Sequence, residues 1–176
     1  KNGMDDLYSR IVGQRGKVED LMARLPGFGG YMEMNARRQA DRMIRENVAR
    51  QLQQQLNRLS EIEKTLLDAG GLSYMSKTRS AKTKLQTLID RIATDTPGYA
   101  GFFDAFKVGS EDLEVIYAFD QAMLRYADQF KEQFDALQAA ADQGEGVDEA
   151  IRGLDALTVE ANEAYGLREN VLKGIE

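Results

Sequence analysis

At 176 residues, 43% apolar and 30% charged, the chain has the balance of one globular domain rather than of a disordered segment. It contains no Cys and no His, which excludes disulfides, thiolate nucleophiles and imidazole as general base or metal ligand. The formal net charge of −6 is unevenly divided: residues 1–95 carry 17 Lys and Arg against 12 Asp and Glu, and residues 96–176 carry 6 against 17.

Two prolines, Pro26 and Pro97, leave long stretches free to be helical. Leu7, Ile11, Val18, Leu21, Met22 and Leu25 recur at helical spacing and predict a first helix over 5–25, stopped by Pro26-Gly27. A second helix over 32–69 buries Ile44, Val48, Leu52, Leu56, Leu59, Ile62 and Leu66, and Gly70-Gly71 ends it. A third helix, 73–94, turns Ala81, Leu85, Leu88, Ile89 and Ile92 inward. After Pro97-Gly98 a short turn or helical piece is expected over 100–107. A fourth helix starts at Ser110, a good N-cap, with Glu111, Asp112 and Glu114 suited to the positive helix end, and runs to Gln143. The tight connection 142–146 leads to a fifth helix, 147–173, with Ala150, Leu154, Leu157, Ala161, Ala164, Val171 and Ile175 inward.

Short connections make successive helices antiparallel. The expectation is therefore a single all-α domain over 1–176, an antiparallel up-down bundle of four to five long helices. No apolar run reaches the roughly 18 residues that a membrane span needs, and Lys1–Met4 show no apolar signal-peptide core. Together with the missing cysteines, this suggests a cytoplasmic chain.

A loop pattern occurs twice. Pro26-Gly27-Phe28-Gly29-Gly30-Tyr31 and Pro97-Gly98-Tyr99-Ala100-Gly101-Phe102 both read proline, glycine, aromatic, small, glycine, aromatic. The topology puts both copies at one end of the bundle. That end collects Phe28, Tyr31, Tyr99, Phe102, Phe103 and Phe106 close to Arg37, Arg38, Arg42 and Arg45 of the second helix. Aromatics beside arginines suit a protein partner or an anionic headgroup layer; equally, the aromatics could plug the open end of the bundle. The glycine spacing lacks the preceding strand and the Gly-Lys-Ser/Thr of a phosphate loop.

A polar pair falls in the core stripes. Asp120 and Arg168 occupy positions otherwise reserved for apolar residues on the fourth and fifth helices. Antiparallel register about the connection near residues 144–145 sets them opposite each other. A buried carboxylate needs such a partner, because an isolated charge in apolar surroundings is costly. Its expected use is to specify register.

The third helix carries Lys77, Arg79, Lys82, Lys84 and Arg91. Nucleic acid would suit such a face, but a pI near 4.9 and the interleaved acids argue against it, and neutralisation by the acidic half is the simpler account. Without His, the Glu-x-x-His di-iron chemistry of helical bundles is unsupported, and the acidic connection at 142–149 lacks Ca²⁺-loop spacing. No metal, cofactor or catalytic residue is expected. The chain reads as a non-enzymatic interaction or scaffold module with a protein partner. Docking on anionic lipid is the second reading, and a ligand cavity inside the bundle, anchored by Asp120, is the third. Homo-oligomerisation stays open because Leu67 and Met43 lie beside the main stripe of the second helix.

Overall fold

A computed structural model describes the backbone of residues 3–14, 34–94 and 110–174, with side-chain surroundings for 6–14, 42–94 and 114–172. Five α-helices account for almost all of it: α1 (Gly3–Gly13), α2 (Met34–Asp68), α3 (Met75–Ala93), α4 (Ser110–Gln143) and α5 (Val147–Gly174). A single 3₁₀ turn, Leu72–Tyr74, precedes α3. No strand occurs among the described residues. The chain is thus an all-α helical bundle. The second part of the expected first helix and the piece expected over 100–107 lie outside the described residues.

The helices form where apolar residues return every three or four positions, and that stripe is what they bury. All seven predicted inward positions of α2 are buried, from Ile44 to Leu66, as are Ala81, Leu85, Leu88, Ile89 and Ile92 of α3. On α4, Phe130, Phe134 and Leu137 have no accessible surface. Ala150, Leu157 and Val171 of α5 are only partly covered and pack at the edge of the core. α4 begins at Ser110, where the sequence places its start.

Glycine ends α2 for a specific reason. Gly70 adopts φ 81°, a left-handed conformation that side chains disfavour. This lets the Gly70 N–H donate to the Leu67 carbonyl and the Gly71 N–H donate to the Leu66 carbonyl, closing the last turn. Gly144, with φ 73°, ends α4 in the same manner, and both it and Glu145 donate to the Ala140 carbonyl.

The order of helices around the bundle is the main architectural finding. α2 packs against α3 and α4, and α5 packs against the same two. The ring therefore runs α2–α3–α5–α4, with α1 laid against α4 and α5. Successive helices α3 and α4 sit on a diagonal. Across the α3–α5 side, Lys77 meets Asp148 at 2.6 Å, Lys84 meets both oxygens of Asp155 at 2.9 Å, and Arg91 donates to the Asn162 carbonyl at 3.0 Å. The sequence separation is 71 in each case, so both helices advance together and run parallel. α2 and α4 are likewise parallel, since each is the antiparallel partner, through a short turn, of one member of that pair. The Arg58–Asp135 ion pair, 2.8 Å, ties them. The bundle is thus two antiparallel hairpins laid side by side.

This arrangement predicts a specific coupling. A double-mutant cycle of Lys84→Ala with Asp155→Ala, read by urea unfolding, should give about 0.2–1 kcal/mol, the range of partly exposed pairs. The cycle of Lys84 with Asp148, one heptad away, should give none.

Candidate functional site

The described part of the proline-glycine-aromatic end is its helical floor. Phe28, Tyr31, Tyr99, Phe102 and Phe103 lie outside the described residues. Arg37 and Arg38 lie on α2 ahead of its described side chains. Arg42 is exposed. Arg45, one turn on, is buried and donates from Nη1 to the Ile92 carbonyl at 3.1 Å, which satisfies a carbonyl in the last turn of α3. Arg42 and Arg45 share a cleft of about 350 Å³ with Glu46, Ala49 and Ala93. The chain enters α2 and leaves α3 at this same end.

Asp120 and Arg168 meet in the core. The Asp120 Oδ1 accepts from Arg168 Nη2 at 3.0 Å and from Nε at 3.2 Å, and each side chain is 2% accessible. The pair joins α4 to α5 with Tyr117, Phe119 and Tyr165 buried nearby in sequence. The carboxylate is therefore covered and already engaged by Arg168.

The basic face of α3 divides. Lys77, Lys84 and Arg91 are turned toward α5 and neutralised by it. Arg91 also donates to Glu169 at 3.2 Å, and its guanidinium lies 5.2 Å from the centre of the Tyr165 ring. Arg79 and Lys82 stay in solvent. Leu67 is 45% exposed at the far end of α2, whereas Met43 packs against the core.

A second cluster, at the junction of α1, α4 and α5, escaped the sequence reasoning. Arg10 donates to Glu160 at 2.6 Å, and Tyr126 lines the same cleft as that carboxylate. Burial, and then Glu160, push the Tyr126 phenol well above its ordinary range. Glu160 also holds the Arg10 guanidinium in its charged form. Arg125, half-buried beside them, is lowered by burial, and no carboxylate pairs with it among the described residues. The sequence signal was slight: Arg125 is an arginine in an apolar stretch of α4, but its partners come from helices far away in the chain.

No group of three or more acidic side chains among the described residues is placed to hold a metal ion, and no described helix is long and apolar enough to cross a membrane. Compared with protein-family models, curated proteins and solved structures, the chain matches none.

Two measurements test these assignments. Asp120→Ala removes the carboxylate that pairs with a buried guanidinium and should cost about 3–5 kcal/mol in urea unfolding, whereas Asp120→Leu with Arg168→Met should recover most of that loss. For Tyr126, an unfolded phenol ionises near pH 10, while the folded one keeps its proton. The folded state then binds more protons, so stability falls as pH rises above about 10. The unfolding midpoint of the native chain should drop more steeply between about pH 10 and 11 than that of Tyr126→Phe.

Proposed function

We propose that this chain is a non-catalytic interaction module that holds a protein partner at the end of the bundle where α2 begins and α3 stops. The observation behind this reading is the sorting of arginines there. Arg45 is turned inward to cap α3, whereas Arg42 keeps its guanidinium in solvent. Arg37 and Arg38 precede it on the same helix. The two proline-glycine-aromatic segments flank the same end in sequence, 26–31 just ahead of α2 and 97–102 just after α3. Arginine and aromatic side chains together are the composition that dominates binding energy at protein interfaces. A catalytic reading centred on Asp120 has less behind it, because that carboxylate is covered and already bound to Arg168.

The test compares the native chain with a variant carrying Phe28→Ala, Tyr99→Ala and Arg42→Glu, after circular dichroism shows equal helicity. A protein retained by the native chain and lost by the variant is expected. With purified components it should bind the native chain at least about tenfold more tightly. Identical capture by both chains overturns the site. Flotation with anionic vesicles, weakened by salt, would move the function to a lipid surface instead.

A further inference from the structure

The cleft between α1, α4 and α5 has the chemistry of a receptor. It measures about 270 Å³ and is lined by Arg10, Gln14, Arg125, Tyr126, Gln129 and Glu160, with little apolar wall beyond Ile11 and Ala122. That is slightly below the roughly 300 Å³ at which pockets for drug-sized ligands begin, so its occupant is small. The charges can be followed one by one. Arg10 and Glu160 neutralise each other in direct contact. The Tyr126 phenol, kept protonated chiefly by burial, lines the same cleft. Arg125 is left as a partly desolvated cation with no carboxylate beside it among the described residues. Cations withdrawn from water are normally paired, so an unmatched one at the wall of a polar cleft marks a place for an anion.

The neighbours agree with this. Gln14 and Gln129 bring amide groups able to donate to oxygen. The end of α1 brings carbonyls that would repel an anion, but the Arg10 and Ile11 carbonyls already accept from the Gln14 N–H at 3.0 and 3.3 Å. A guanidinium presents a planar fork of N–H groups that matches two oxygens of a carboxylate or a phosphate.

We infer that this cleft binds a small oxyanion, a carboxylate or a phosphate, on the guanidinium of Arg125. Gln14 and Gln129 donate to its remaining oxygens, and the Arg10–Glu160 pair forms the neutral wall opposite. The site is independent of the proposed partner surface. It draws on none of the residues at the α2–α3 end.

Calorimetric titration of the full chain, in chloride buffer, with inorganic phosphate and separately with succinate tests the inference. At least one should bind saturably, with a Kd on the order of 1 mM or tighter. Binding of phosphate alone, of succinate alone or of both supports the site and tells its preference. Arg125→Gln should weaken that binding at least about tenfold, and Arg79→Gln, at an exposed arginine of α3, should leave it unchanged. Gln129→Glu keeps Arg125 and supplies it with an internal carboxylate one turn away, so it should abolish binding in a chain that remains folded. No saturable binding of either anion overturns the inference. So does native-like binding by Arg125→Gln or by Gln129→Glu, or a loss in Arg79→Gln equal to that in Arg125→Gln.

Discussion

Lys77, Lys84 and Arg91 stand seven residues apart on α3, and each faces a polar residue equally spaced on α5. Because the sequence separation is 71 at each step, these contacts hold the two helices parallel and in one register. Parallel neighbours cannot be joined by a short turn. The chain therefore builds each helix against an antiparallel partner first, using the glycine turns at Gly70 and Gly144, and sets the two hairpins side by side. The diagonal relation of α3 to α4 and the pairing of α2 with α4 follow from that one constraint. It also disposes of charge: the basic α3 meets the acidic α5, so much of the imbalance between the two halves of the chain is cancelled within the bundle.

Inside the second hairpin, the Asp120–Arg168 pair serves a different purpose. Its two ends are among the most deeply covered polar groups of the chain. Removing two ions from water offsets much of their attraction, so such a pair contributes little net stability compared with apolar residues of the same volume. What it does penalise is displacement. A slip of α4 along α5 would leave a carboxylate and a guanidinium buried among Tyr, Phe and Ala side chains without each other. The left-handed Gly144 fixes the turn from one end and the ion pair fixes the register twenty-four residues away on either side. The two constraints are consistent with each other.

Much of the fold was legible in the sequence because it rests on periodicity. The apolar stripes of α2, α3 and α4 are strong, and glycine or proline closes each one; these are local signals. The register of α4 against α5 was legible too, since a short turn makes antiparallel partners arithmetically predictable. The order around the ring was not, because the α3–α5 contact is non-local and parallel. Its trace, basic residues at 77, 84 and 91 matched by polar ones at 148, 155, 162 and 169, becomes visible only when two helices far apart in the chain are compared. The candidate oxyanion cleft was hidden for the same reason: Arg10, Arg125 and Glu160 come from three helices, and none is unusual on its own. Conversely, the motif that stood out most in the sequence, the repeated proline-glycine-aromatic loop, owes its prominence to local composition.

The two-hairpin arrangement also bears on how the chain folds. Contacts within each hairpin join residues close in sequence, so they form at a small cost in loop closure. Contacts between hairpins, including the whole α3–α5 ladder, span separations of about seventy residues. They can form only once both hairpins exist and have found each other. Ion pairs mark both sides of that junction, Lys77–Asp148, Lys84–Asp155 and Arg91–Glu169 between α3 and α5 and Arg58–Asp135 between α2 and α4, while the apolar stripes of all four helices meet in one core. The joining of the hairpins is therefore a docking reaction in which the shared core drives association and the ion pairs at its rim select the alignment.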